Sequence, residues 1–122
     1  KHVFNSSCKQ HRKIQEKGPT NYAYMNPTDV DSLGIQSGEL IEIKGAYGML
    51  VGVAEAAKDI KPGVISMAHA WGDIPGNWGE VRQKGASTNR LIDDHKTYDK
   101  ITGQPRMTAI PVNLRHVPEE VA

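Results

Sequence analysis

The sequence contains a single cysteine, Cys8, among its 122 residues. One thiol cannot form an internal disulfide, so the sequence does not indicate an oxidising compartment. No base is visibly paired with this thiol, which favours a bystander cysteine over a nucleophile. The cysteine content therefore points to neither a disulfide framework nor thiol chemistry.

An excess of charge and a long apolar run are both absent. Fifteen Lys and Arg residues face fourteen Asp and Glu residues, a net charge of +1, so no bulk field attracts nucleic acid or a membrane surface. No stretch approaches the ~20 apolar residues that span a bilayer, and no signal-peptide pattern is present. The chain starts at Lys1 rather than at methionine. We expect a single domain, residues 1–122, excised from a larger protein, and its localisation stays open between cytoplasm and periplasm.

The motifs of common catalytic and metal sites are also missing. Histidines stand at positions 2, 11, 69, 95 and 116, but none has the H-E-x-x-H spacing, and no C-x-x-C occurs. There is no nucleophile elbow, Walker loop or G-x-G-x-x-G. Asp93 and Asp94 are adjacent, and in an extended segment neighbours point to opposite faces. A loop or helix-capping role is the better interpretation of this pair, and we predict no catalytic residue and no metal ligand.

What the sequence does contain is a series of short β-forming runs between Gly and Pro turns. The runs predict strands at residues 22–25, 40–44, 49–54, 64–68 and 107–112, with a strand end at residues 1–5. A two-turn helix is predicted after Asn26, which can cap it, with Pro27 in the first turn and Gly34 as terminator. Residues 9–20 are predicted to be an exposed connection. This pattern indicates a mainly β protein, a small barrel with one or two short helices.

Residues 69–85 are predicted to form a long loop, which in a compact domain is usually functional or covered by a partner. The loop carries Trp71 and Trp78, whose indoles suit either stacking on a ligand ring or anchoring on another protein surface. The sequence does not separate these two roles.

Three short polar segments, residues 5–7, 85–91 and 102–105, each flank a predicted strand. Small residues let backbone amides approach phosphate or carboxamide oxygens closely, and Ser, Thr, Asn and Gln side chains add donors and acceptors. Such loops suit an uncharged site for a nucleotide or a pterin. Taken alone, the same composition also describes plain turns.

The order of four motifs resembles a known family. The motifs are Asn26-Pro27-x-Asp29-x-x-x-Leu33-Gly34-Ile35-x-x-Gly38, Ile60-x-Pro62-Gly63-Val64, Gly85-x-x-x-Asn89-x-Leu91 and Asp99-x-x-Thr102-Gly103. Each is loose, but the ordered set, covering about residues 2–115, is similar to the C-terminal molybdopterin dinucleotide-binding domain of the dimethyl sulfoxide reductase family of molybdenum and tungsten oxidoreductases.

The resemblance implies a six-stranded double-psi β-barrel that binds and positions a bis(molybdopterin guanine dinucleotide) cofactor with Mo or W, the metal being ligated by another domain. It implies as partners the remaining domains of the parent oxidoreductase and an iron–sulfur electron-transfer subunit. Carried over by position, the cofactor-binding residues are His2, Asn5, Ser6, Ser7, Gly85, Ser87, Asn89, Thr102, Gly103 and Gln104. Cys8 does not match the family's metal ligand. An arginine often found ahead of the Asn-Ser segment is absent or cut away, since the chain begins at Lys1.

Two alternatives stay open at this stage. One is a stand-alone double-psi barrel that acts as a binding or protein-interaction module without a redox cofactor. The other is a small decarboxylase on the same barrel type, which needs a Gly-Ser junction, whereas Ser37-Gly38 has the reverse order. The substrate of a parent enzyme is not encoded in this domain under the family interpretation, and formate, sulfur oxyanions, arsenic species and nitrogen oxides all remain candidates.

Overall fold

Three stretches of the chain, residues 11–18, 20–72 and 80–118, are described by the computed structural model of this protein. Helix α1 spans Arg12–Lys17 and α2 spans Pro27–Ser32, and a third short helix, α3, spans Val81–Lys84. The strands are β1 (Ala23–Met25), β2 (Leu40–Lys44), β3 (Met49–Ala56), β4 (Ile65–Ser66) and β5 (Asn113–His116). A 3₁₀ helix covers Thr88–Leu91. The predicted strand end at residues 1–5 lies outside the described residues.

The described strands form one mixed sheet in the order β4-β1-β3-β2-β5. β2 and β3 are an antiparallel hairpin in which Leu40 pairs with Val53, and β5 adds antiparallel to the outer side of β2. On the other side, β1 runs parallel to β3, with Ala23 opposite Ala54, and β4 lies antiparallel to β1. The sheet is curled into a half-barrel, and β3 at its centre is hydrogen-bonded along both edges.

The core is centred on β3, and α2 packs against this strand. β3 has five consecutive buried residues, 50–54, as expected for a strand covered on both faces. Burial of apolar surface in strands of this kind contributes roughly 25 cal/mol for each Å² removed from water. The buried apolar residues are Ala23, Met25, Val30, Ile35, Leu40, Ile41, Ile43, Leu50, Val51, Val53, Ala54, Val81 and Ala86.

Helix α2 forms where the sequence predicted it, and for the predicted reason. The Asn26 side chain accepts a hydrogen bond from the Thr28 amide at 2.9 Å, and Pro27 occupies the first turn. Gly34 follows the helix with φ +68°, a conformation that favours glycine. The side-chain nitrogen of Asn26, Nδ2, donates to the Ile60 carbonyl at 2.9 Å. The cap residue therefore also joins α2 to the turn between β3 and β4.

The sequence prediction was wrong at three places. The last strand is β5, not residues 107–112, because Pro111 offers no N–H and the chain bends at Ala109, where φ is +52° and Arg106 binds the carbonyl oxygen. Residues 9–20 contain α1, supported by an exposed Arg12–Glu16 pair one turn apart. The predicted long loop contains α3.

The mainly β architecture with short helices is confirmed, as are the β2–β3 hairpin and strands β1 and β4, which are shorter than predicted. Five strands lie within the described part of the chain. The sixth strand and the double-psi connection stay predictions. No helix in the described ranges is long and apolar enough to cross a membrane.

Replacing the cap residue, Asn26→Ala, removes one hydrogen bond to the helix and one to the Ile60 carbonyl. We expect the free energy of unfolding to fall by about 1–2 kcal/mol, measured by urea denaturation. The matched control is Ser32→Ala, since that exposed hydroxyl donates only to the Thr28 carbonyl of its own helix; its cost should stay within about 0.5 kcal/mol. Equal losses in the two variants would contradict the bridging role of Asn26.

Candidate functional site

The polar segment of residues 85–91 begins where α3 ends. Gly85 has φ +79° and its N–H donates to the Val81 carbonyl at 2.9 Å, which closes the last turn of α3. The chain then passes through Ala86, which is buried, and Ser87 into the 3₁₀ helix. Glycine is required at position 85 by the left-handed backbone conformation. The start of the segment is thus fixed by local geometry.

A buried asparagine from a distant part of the chain holds the next peptide. Asn21 is 4% exposed. Its Oδ1 accepts the Ala86 N–H at 2.8 Å, and its Nδ2 donates to the Ala86 carbonyl at 2.9 Å. The same Nδ2 donates to the Ala68 carbonyl at 2.9 Å, beyond β4. One side chain therefore satisfies both polar groups of Ala86 and joins two loops.

Close packing around Gly85 adds a steric constraint. A Cβ atom at this position would come within 2.6 Å of Asn21 Oδ1 and 2.7 Å of Trp71 Cε3. Trp71, which the sequence left between a ligand-stacking role and a protein-anchoring role, thus packs against Gly85. Trp78 lies outside the described residues.

The far end of the polar segment rests on the β2–β3 hairpin. The backbone of Gly48 approaches the Arg90 carbonyl so closely that a Cβ at position 48 would overlap the oxygen. The 3₁₀ helix is closed by hydrogen bonds from Arg90 N–H to the Ser87 carbonyl (3.3 Å) and from Ile92 N–H to the Asn89 carbonyl (3.1 Å). Between these two anchors, Asn89 is exposed, and Ser87 and Thr88 are half-buried.

A cleft of about 560 Å³ opens beside Thr88. Ser66 and His69, at and beyond the end of β4, line one side of it, and the bent segment at residues 107–112 lines another. Most of its other lining residues are apolar, among them Ile43, Ile65, Met67, Leu91 and Ile92. A cleft with a few polar groups at its edge has the form of a ligand site.

Asp93 has the loop role that the sequence favoured for the aspartate pair. Its buried carboxylate accepts the His95 N–H at 2.9 Å, the Lys96 N–H at 3.2 Å and the Thr97 hydroxyl at 3.3 Å. Burial raises the pKa of Asp93, but these bonds together with one from the Tyr47 hydroxyl outweigh it and leave the pKa below its ordinary value. Asp94 is exposed.

The third polar segment, with Thr102, Gly103 and Gln104, forms a separate exposed loop. Asp99 accepts the Ile101 N–H at 2.9 Å and the Thr102 N–H at 2.8 Å, and the Thr102 hydroxyl at 3.1 Å. The Thr102 N–H is the largest cause that lowers the pKa of Asp99, followed by the Ile101 N–H. The Asp99 carboxylate therefore organises the backbone of this loop.

The predicted site residues thus fall into three groups. Gly85, Ser87 and Asn89 lie together on one anchored segment, and Thr102, Gly103 and Gln104 lie on the separate loop. The predicted residues His2, Asn5, Ser6 and Ser7 lie outside the described residues, as does Cys8. Within the described ranges, no cluster of three or more His, Cys, Asp or Glu side chains is arranged to hold a metal ion.

Sequence reasoning missed two residues that shape the site. Asn21 stands one residue before a predicted strand, where an asparagine is unremarkable, and its partners are 47 and 65 positions away. Gly48 lies between the predicted strands at residues 40–44 and 49–54, where a turn glycine is ordinary, and its close approach to Arg90 depends on tertiary packing. No local signal marks either role.

Comparison with known proteins decides the family. The family model of the Molydopterin dinucleotide binding domain matches residues 1–111, nearly the whole chain. The chain belongs to this family. The resemblance carried by the four ordered motifs is thereby confirmed, and with it the assignment of the chain as a molybdopterin dinucleotide-binding domain of the kind found in molybdenum oxidoreductases.

The relatives of this domain are much longer proteins. The chain is 29% identical over 91 residues to arsenite oxidase subunit AioA of Herminiimonas arsenicoxydans, covering 60% of this chain and 11% of the relative. It is 27% identical over 116 residues to dopamine dehydroxylase of Eggerthella lenta, covering 91% of this chain and 11% of the relative. The chain thus spans about a tenth of the length of these curated relatives.

A solved structure shares the fold. Acetylene hydratase from Pelobacter acetylenicus superposes with a TM-score of 0.74 over 93% of this chain and 16% of its own, at 21% identity. At that identity the likeness supports the barrel-like architecture alone.

The substitution Gly85→Ala adds a methyl group at the start of the 85–91 segment. It places alanine in a disfavoured backbone conformation, and the new Cβ overlaps with Asn21 and Trp71. We expect the free energy of unfolding to fall by about 2–5 kcal/mol, measured by thermal or urea unfolding. Gly63→Ala is the matched control, because Gly63 has φ +80° and no atom within 4 Å of the added Cβ. That control should lose only about 1–2 kcal/mol, and a comparable loss at both positions would rule out the packing constraint.

The depressed pKa of Asp93 makes stability depend on acid pH. Its contribution is complete above the ordinary aspartate pKa of about 4 and is lost as the pH falls through the lower folded-state pKa. We expect Asp93→Asn to be less stable than the parent at neutral pH and to lose less stability on acidification. The measurement is urea unfolding from about pH 7 to about pH 2.5, with the exposed Asp94→Asn as control. Parallel pH curves for the parent and Asp93→Asn would contradict the assignment.

Proposed function

We propose that this domain binds and positions a molybdopterin guanine dinucleotide within a larger molybdenum- or tungsten-dependent oxidoreductase, with the 85–91 segment as its main contact. The observation that carries the proposal is the anchoring of this segment at both ends. Asn21 fixes one end through Ala86, and Gly48 supports the other beneath Arg90. Such a segment binds a ligand with little loss of conformational entropy.

The chemistry of the segment fits a pterin dinucleotide. Ser87 and Thr88 provide hydroxyl groups, and Asn89 provides both a donor and an acceptor on an exposed side chain. Heterocycle edges and ribose hydroxyls offer both donors and acceptors, which this mixture of groups can pair with. When bound, the cofactor supplies the redox chemistry, while this chain supplies binding and orientation.

Further contacts are proposed from the remaining predicted residues. The loop of Thr102, Gly103 and Gln104 has its backbone organised by Asp99, which leaves the Gln104 side chain exposed for a ligand. The Thr102 hydroxyl is bonded to Asp99 and to the Gln104 N–H, so its proposed part is to shape the loop. His2, Asn5, Ser6 and Ser7 are proposed as contacts to phosphate or pterin groups.

The wider assembly is proposed in the same terms. Residues 1–122 are a single domain that completes a six-stranded double-psi barrel, and the other domains of the parent enzyme ligate the metal and shape the substrate funnel. The cofactor is the bis(guanine dinucleotide) form, and an iron–sulfur subunit exchanges electrons with it. The relatives bear names as different as arsenite oxidase and dopamine dehydroxylase, which supports placing the choice of substrate outside this domain. The stand-alone binding module is disfavoured by the family match over residues 1–111.

The test is Asn89→Ala in the full-length protein that carries this domain. Loss of the exposed amide removes hydrogen bonds to the cofactor, and we expect a several-fold fall in bound pterin per protein, measured by fluorescence after oxidative release. Asn113→Ala is the control, since Asn113 is an exposed asparagine on the edge strand β5. Unchanged pterin content in Asn89→Ala would exclude this residue from the site.

A further inference from the structure

Asn21 makes two hydrogen bonds to the 85–91 segment from 65 positions away in the chain. Its Oδ1 and Nδ2 bind the N–H and carbonyl of the same residue, Ala86, at 2.8 and 2.9 Å. This two-point contact mimics the pairing of neighbouring strands, and it fixes both the position and the rotation of the Ala86 peptide groups. A single hydrogen bond would leave that rotation free.

The orientation of the Ala86 peptide groups matters because of where Ala86 lies in the chain. The residue lies between Gly85, whose backbone is left-handed, and Ser87, which precedes the 3₁₀ helix. Trp71 and Asn21 fill the space where a Cβ at position 85 would lie, so the segment cannot move toward them. Rotation of the Ala86 peptide groups would redirect Ser87 and the helix that carries Asn89.

We propose that Asn21 is a positioning residue for the cofactor: it sets the direction in which Ser87 and Asn89 are presented, without contacting the cofactor itself. The inference rests on the proposed function of the 85–91 segment. The third hydrogen bond of Asn21 goes to the carbonyl of Ala68, the residue before His69, which lines the cleft. The buried side-chain amide of Asn21 thereby fixes the positions of two parts of the chain that line the cleft, one after Ala68 and one after Ala86.

The neighbouring residue provides a matched comparison. Thr20 is also buried, at 5% exposure, and its hydroxyl donates to the Val81 carbonyl of α3 at 2.7 Å. Thr20→Val removes a buried hydrogen bond one residue away, yet leaves the contacts to Ala86 intact. Val30→Ala is a second control, which lowers stability through a cavity in the core under α2.

The experiment uses the full-length cofactor-loaded protein and two readouts. The first is hydrogen exchange of the peptide that contains the Ala86 amide. The second is the rate of pterin release at a fixed temperature below all melting points. For Asn21→Ala we expect lost protection at Ala86 and release faster on the order of tenfold. Thr20→Val and Val30→Ala should keep the protection and release pterin at nearly the parental rate.

Asn21→Asp serves if the alanine variant does not fold, since it retains an acceptor for the Ala86 N–H but lacks the amide donors. It should show intermediate protection and intermediate release.

Equal release from Asn21→Ala and Val30→Ala would show a general stability effect and overturn the inference. Retained pterin in Asn21→Ala alongside loss in Asn89→Ala would overturn it while leaving the proposed function intact. Retained pterin in both variants would reject the segment as a cofactor contact, and the inference with it.

Discussion

Hydrogen bonding of β3 along both edges is the constraint on which the described fold depends. β3 pairs antiparallel with β2 and parallel with β1, so its buried residues cannot shift without breaking two registers together. The antiparallel side follows from a short hairpin. The parallel side requires a crossover, and α2 lies in the chain between β1 and β2. The mixed, curled sheet is the consequence.

The polar segment at residues 85–91 is held in place by contacts to residues beside this sheet. Asn21, two residues before β1 begins, binds Ala86. Gly48, in the β2–β3 turn, lies against Arg90. The two anchors come from opposite sides of β3, so the sheet itself sets the distance between them. The loops of this domain are therefore extensions of a fixed scaffold, which is the usual division of labour between binding residues and core.

Much of the fold was predictable because its signals are local. The Asn26 cap, Pro27 and Gly34 define α2 within nine residues, and the β-forming run at Leu40–Lys44 with a glycine turn defines the hairpin. The ordered motifs identified the family. Gly85 and Asn89 lie on one segment, and their contacts to a cofactor stay a prediction. The error at residues 107–112 arose because the β-forming composition there is overridden by Pro111 and by the bend that Arg106 holds.

The sequence by itself determined the mainly β class and the positions of α2 and the hairpin, because each depends on residues close together in the chain. It also determined the family, because the order of its motifs can be recognised without their contacts. Only the tertiary structure decided that Asn21 binds Ala86 and that Trp71 packs on Gly85. The hydrogen bonds between Asn21 and Ala86 join residues 65 positions apart. No local propensity encodes such a contact, since its two partners are brought together only by the folded chain.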